Sequence, residues 1–223
     1  MALTTNLVAY YKLDGNSNDA TGNGHNGTDT SMTYSATNAV INTAGQFSGS
    51  GKILIPDNAA FDGTTAVTMA AWVNFSSLTG QQQIFAKSPA NSAAYMILYK
   101  TATNHLACTV DTDAHSIVGT ATLTTATRYH CVQTYDGSVL TLYLNAATDG
   151  TPASYAGAMT PGTGSVGIGV LGDNATQFAI GTIDEVAWWS RALSSTEITQ
   201  LYNSGNGLAY PFSAANGNFL AFM

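Results

Sequence analysis

The sequence predicts an all-β fold, a two-sheet antiparallel jelly-roll sandwich with one short C-terminal helix. Three observations predict it. Alternating or β-rich runs recur along the 223 residues, turn dipeptides separate them, and only 9% of residues are charged. Average soluble domains carry about 25% charged residues, and long surface helices draw on Lys, Glu and Arg. Gly, Thr, Ser, Ala and Asn stand in their place. The length suits a single core, since β sandwiches often reach about 200–250 residues as one domain.

The strand-like runs are Leu7–Leu13, Ile53–Ile55, Val67–Phe75, Gln82–Ala86, Tyr95–Tyr99, Leu106–Val110, Thr120–Leu123, Tyr129–Tyr135, Val139–Leu144, Ser165–Val170 and Phe178–Trp189. Short strands at this spacing read as a sandwich or jelly roll. Asp136-Gly137, between Cys131–Tyr135 and Val139–Leu144, is the clearest hairpin turn. One helix is predicted. Ser194-Ser195-Thr196-Glu197 forms a capping box, in which the Ser194 hydroxyl accepts from the amide three residues on and Glu197 reaches back. Leu193 can pack on Ile198, while Ile198, Leu201 and Tyr202 share one face and Gly205 suits a left-handed stop. The sandwich is therefore assigned to residues 1–209. Residues 210–223 form an apolar tail ending Phe219-Leu220-Ala221-Phe222-Met223, which either docks on a neighbouring subunit or covers this chain's own sheet edge.

Composition excludes several partners. Six Lys and Arg against thirteen Asp and Glu give a formal net charge of −7, the wrong balance for nucleic acid. No apolar run reaches the length that spans a bilayer, so no membrane partner is expected. The opening Met1-Ala2-Leu3-Thr4-Thr5-Asn6 shows no basic stretch followed by an apolar one, so no signal peptide is visible. Cys108 and Cys131, the two cysteines, are either buried thiols or a cross-strand disulfide.

The order of segments resembles a known family. Leu7-Val8-Ala9-Tyr10-Tyr11-Lys12-Leu13-Asp14-Gly15, then Asp19 to Thr28, Ala44-Gly45-Gln46-Phe47 and Val67–Val73 are similar to the opening strands of laminin G-like jelly-roll domains. These belong to the concanavalin A-like lectin/glucanase superfamily. Thr134-Tyr135-Asp136-Gly137, Leu140–Asn145, Ile180–Val186, Arg191-Ala192-Leu193-Ser194 and Glu197-Ile198 follow in the expected order, so the resemblance covers about residues 7–206. It implies two antiparallel sheets, one of them concave. The chain departs from the family's pattern at Arg128-Tyr129-His130, where Trp often precedes the His, and at Asn145-Ala146, where Asp-Gly is common.

The resemblance also frames the chemistry. Glycoside hydrolases use paired carboxylates, which enzymes of this superfamily place as alternating Glu on one strand. This chain has two Glu, Glu185 and Glu197, and no such motif. Asp111 and Asp113, with His115 beside them, are the nearest substitute and read better as a solvated turn. Domains of the superfamily often hold a structural Ca²⁺ where the N-terminal loop meets the last strand. Asp14, Asp19 and Asp184 are its candidate ligands here, Ca²⁺ being held by about six to eight oxygens. In the alternative, Asp184 accepts backbone amides while Asp14 and Asp19 shape turns. A sugar would need an aromatic ring for its C–H face and polar groups at the rim. Tyr95, Tyr99 and Trp189 are the candidate platforms, against aromatic core packing.

Three functions follow. The first is a non-catalytic surface or adhesion protein that binds glycans, a virion decoration or tail-associated component similar to phage proteins of this fold. The second is a stand-alone secreted carbohydrate-binding module, and the third a glycan-active hydrolase. The expected partners are glycans or cell-surface polysaccharide, and neighbouring virion or homo-oligomer subunits through residues 210–223. The expected location is a virion surface or the extracellular space.

Overall fold

A computed structural model describes residues 1–62, 65–88, 96–157, 159, 162–172 and 176–212, without the side chains of 112–114. Its strands in chain order are β1 (Leu7–Tyr11), β2 (Thr28–Thr30), β3 (Thr33–Ser35), β4 (Ala44–Ser48), β5 (Lys52–Ile55), β6 (Val67–Phe75), β7 (Gln82–Lys87) and β8 (Met96–Lys100). Then come β9 (His105–Val110), β10 (Thr112–Thr122), β11 (Arg128–Tyr135), β12 (Val139–Leu144), β13 (Ala147–Thr148), β14 (Ala153–Ser154), β15 (Val166–Ile168) and β16 (Ile180–Trp189). Helix α1 spans Ser195–Tyr202. The run expected at 120–123 is the end of the longer β10.

Two antiparallel sheets form the sandwich. The first runs β13-β12-β11-β6-β16-β4-β3, with β1 also on β16 and β14 also on β12. The second runs β10-β9-β8-β7-β15-β5-β2. The predicted hairpin sits in the first sheet. Tyr135 faces Leu140 across it, and the Asp136 carboxylate accepts from the Ser138 and Val139 amides at 2.9 and 2.8 Å. Gly137 supplies the positive φ of 95° that this turn requires.

β16 organises the first sheet. Its first half pairs with β4 and its second half with β1, while β6 lies along the other edge. The register with β6 shifts between Asp184 and Ala187, and Glu185 has φ 49°. This is a bulge, which adds a residue and turns two consecutive side chains to one face. Ile183, Val186 and Trp188 point into the main core between the sheets, against residues such as Phe61 and Phe85.

Ala187 and Trp189 face outward into a second core. There they pack with Leu3, Leu7, Tyr10, Ala70, Val132, Leu193, Ile198 and Leu201. Helix α1 covers this face. Its predicted capping box is present, and the carboxylate of Glu197 also takes two hydrogen bonds from the Arg191 guanidinium, at 2.7 and 3.0 Å. Those bonds hold the carboxyl down at about 2. Tyr202 at the helix end stacks on Trp72, with ring centroids 5.7 Å apart.

Tyr210 stacks on Tyr10 at 5.1 Å and Phe212 meets it edge-on at 5.3 Å, so both lie on this chain's own first sheet. Residues 213–223 lie outside the described residues. Cys108 and Cys131 are both buried free thiols, and they lie on opposite sheets.

Lys100 shows how a loop is tied to this frame. Its side chain is fully buried, and Nζ donates to the carbonyls of Leu78, Gly80 and Thr101 and to Asn104 Oδ1, at 2.6–3.1 Å. Lys100→Met keeps much of the apolar stem but strands those acceptors. A loss of about 3 kcal/mol is expected, measured by urea denaturation. A loss below about 0.5 kcal/mol would contradict this role.

Candidate functional site

The three carboxylates read as metal ligands do separate jobs. Asp184 Oδ2 accepts from the Val40 and Ile41 amides at 2.8 and 3.1 Å, and Oδ1 from the Glu185 amide at 3.0 Å. Asp14 binds the Thr43 amide and the Asn42 side chain at 3.0 and 3.1 Å. Both clamp residues 40–43, the segment that leads into β4 just where β16 changes partners. Asp19 instead organises its own loop, accepting from the amides of Tyr10, Thr21 and His25 and from the Thr21 hydroxyl. All three carboxylates are thus engaged by backbone N–H donors. Among the described residues no three His, Cys, Asp or Glu side chains are grouped to hold a metal ion. Of the two readings of these residues, the geometry matches amide acceptance and turn shaping.

Glu185, which sequence reasoning did not single out, is the unusual group. The bulge turns it to the outer face, where its carboxylate accepts from the Tyr10 hydroxyl. Its Oε1 and the Nδ1 of His130 have no protein partner. Both residues line a cavity of about 10 Å³ with Tyr10, Trp72 and Trp189. That is room for one water between them. Burial pushes the Glu185 carboxyl up to about 8, helped by Asp184 and Asp14 and opposed by the Tyr10 hydrogen bond and by Lys12. Burial also raises Asp184 to about 7 against its three amide bonds, and lowers His130 to about 3. The signal available in the sequence was two adjacent acids inside an otherwise apolar strand, which only a bulge can accommodate on one face.

The candidate sugar platforms fare unequally. Trp189 requires correction. It is fully buried, and its Nε1 donates to the Leu3 carbonyl at 2.7 Å. The second core covers the face on which it was expected to bind, so no sugar reaches it. Tyr95 lies outside the described residues. Tyr99 is half-buried on the outer face of the second sheet, and with Leu171 it packs over Ala86 and Ile97. Gln83, Tyr99, Ala107 and Val118 are successive register partners across β7, β8, β9 and β10. Beside Tyr99, Gln83 is fully buried and donates to Gln177, leaving its own Oε1 without a partner. The second sheet thus presents the Tyr99 ring and the exposed Val118 on one face, over the buried Gln83 and Ala107.

The other polar aromatics have structural contacts. His115 stacks on Tyr155 with centroids 3.9 Å apart, and Tyr155 donates to Asp111 at 3.0 Å. The side chain of residue 113 lies outside the described residues, so the Asp111, Asp113 and His115 arrangement is seen only in part.

The carboxyl groups in the bulge set a pH dependence. The unfolded chain ionises Glu185 near its ordinary value of 4.5, whereas the folded chain holds its proton up to about 8. The stabilisation is complete below the lower value and is lost as pH rises through the upper one. Stability should therefore fall by roughly 2 kcal/mol or more between pH 5 and 9. Glu185→Gln should flatten that slope, measured by thermal melts. An equally steep fall in the variant would contradict the assignment.

Comparisons with known proteins place this geometry. No curated protein matches the chain. Domain 4 of AbnA, a GH43 extracellular arabinanase from Geobacillus stearothermophilus, in complex with arabinotriose, is similar at 20% identity with a TM-score of 0.68. The match covers 86% of this chain and 96% of that one. The binding domain of Paraclostridial Mosquitocidal Protein 1 is similar at 16% identity and TM-score 0.70, over 90% of this chain and 52% of that one. Trypanosoma rangeli sialidase in complex with sialic acid is similar at 16% identity and TM-score 0.71, over 93% of this chain and 35% of that one. The chain thus spans nearly all of the first structure, about half of the second and a third of the last. At these identities the likeness is one of fold. A laminin G family model, described as the concanavalin A-like lectin/glucanases superfamily, matches residues 47–199. That is most of the sandwich, and the chain belongs to this family.

Proposed function

We propose that this chain is a non-catalytic glycan-binding domain that works through the outer face of its second sheet. One observation carries the reading: the half-buried Tyr99 ring lies on the outer face of the second sheet in the same register row as the exposed Val118. A pyranose lays its C–H face on a ring and directs hydroxyls to groups at the rim.

The carboxylates support the non-catalytic part. Both Glu residues are under the outer layer of the first sheet, one tied to Tyr10 and the other to Arg191 and the helix cap. Neither faces the Tyr99 surface. The low charge of the chain and its wealth of Thr, Ser and Asn support a neutral ligand and display on an extracellular or virion surface. The likeness in fold to a domain seen with arabinotriose makes a neutral oligosaccharide the first ligand to try.

Titration with arabinotriose or cellotriose, followed by NMR, should shift the amide signals of β8 and its neighbours. Tyr99→Ala should weaken binding at that face about tenfold, equivalent to about 1.4 kcal/mol, with the melting temperature nearly unchanged. Unaltered affinity in the variant, or no shifts on β8 in the parent protein, would overturn the proposal.

A further inference from the structure

The outer face of the first sheet, beside the part covered by helix α1, carries an ordered row of polar side chains. Thr33, Gln46, Thr182, Asn74 and Arg128 are successive register partners across β3, β4, β16, β6 and β11. Adjacent strands lie about 4.8 Å apart, so these side chains form a ladder running across the strands. Over the β3, β4 and β16 end of this row lies a trough of about 470 Å³. Gln46, Ser48, Ser76 and Thr182 are part of its lining, with Ile180 as the apolar side chain, while Phe47 points into the core between the sheets.

The lining contains no charged residue. Arg128, at the far end of the row, has its guanidinium tied to the Ala39 carbonyl at 3.0 Å. Gln46 Nε2 is already used, pointing at the carbonyls of Ser35, Thr37 and Ala44. Among the described residues, however, the hydroxyls of Thr33, Ser48, Ser76 and Thr182 carry no hydrogen bond. Each can both donate and accept. Uncharged donor-acceptor groups at strand spacing, next to the apolar Ile180, match the hydroxyl-bearing and C–H surfaces of a saccharide. The lining offers no Arg or Lys to an anion and no carboxylate to a metal.

We infer that this trough is a second glycan subsite, selective for a neutral oligosaccharide lying across β3, β4 and β16. It rests on the reading that the domain binds glycans, and it deepens that reading. The Tyr99 face belongs to the other sheet, so the two sites are separate and one chain engages two saccharide segments at once. On a polymer, linking the two events raises the overall affinity without any new contact.

The test is calorimetric titration of the full chain with arabinotriose and cellotriose, and with sialyllactose as an acidic control. The parent protein should bind two neutral trisaccharides per chain. Ser48→Trp, which plugs the trough from an exposed position, should remove one of them. Thr182→Val, which keeps the side-chain shape and removes only the hydroxyl, should weaken that same event about fivefold, while Tyr99→Ala should weaken the other about tenfold. Sialyllactose should not compete at the trough. A stoichiometry of one, with that event weakened in Tyr99→Ala and indifferent to Ser48→Trp and Thr182→Val, would overturn the second subsite and leave the glycan-binding reading intact. No neutral trisaccharide bound at all would overturn both. Thermal melts of each variant separate loss of binding from loss of fold.

Discussion

The structure depends on one strand being buried on both faces. β16 sends Ile183, Val186 and Trp188 into the core between the sheets and Ala187 and Trp189 to the opposite side. An outward tryptophan on a sheet would expose a large apolar area, and covering it removes that area from water at about 25 cal/mol per Å². The helix, the first residues of the chain and the segment at 210–212 supply that cover. The capping box and the Arg191–Glu197 pair then fix the helix where it is needed. The β16 bulge follows from the same demand, since β1 and β4 must share one edge of the strand.

That arrangement also explains the carboxylates. At the junction of β1 and β4 the segment 40–43 has amides facing the sheet, and Asp14 and Asp184 satisfy them. Charge that sequence reasoning set aside for a cation is used to hold backbone. Glu185 differs: the bulge turns it to the outer face beneath the covering layer, where burial pushes its carboxyl up to about 8. The acidic groups near the last strand thus maintain architecture, and under the proposed function ligand recognition falls to neutral side chains.

Local chemistry was legible in the sequence and long-range coincidence was not. Asp136-Gly137 announced its hairpin because the turn residues and the flanking alternation lie within a dozen positions. The capping box at Ser194 and Glu197 is likewise local. Alternation showed that Trp188 and Trp189 face opposite ways, but it could not show that a helix roofs the outward face. That cover removed Trp189 as a sugar platform. Tyr99 was legible as a ring on a strand, whereas its neighbour Gln83 belongs to a different strand. The row Thr33, Gln46, Thr182, Asn74 and Arg128 exists only through the order of strands, which joins segments up to 149 residues apart (182 minus 33). Backbone acceptance by Asp14 and Asp184 hinges on where residues 40–43 run, and no spacing rule encodes that path.

The central proposal is that this sandwich offers surfaces and performs no cleavage. The most direct measurement is prolonged incubation with arabinan, cellulose-derived and sialylated oligosaccharides, the products being followed by chromatography. The account predicts that every oligosaccharide is recovered intact, including under conditions in which the neutral ones are bound. Steady release of shorter sugars, abolished by replacing a single carboxylate, would contradict it.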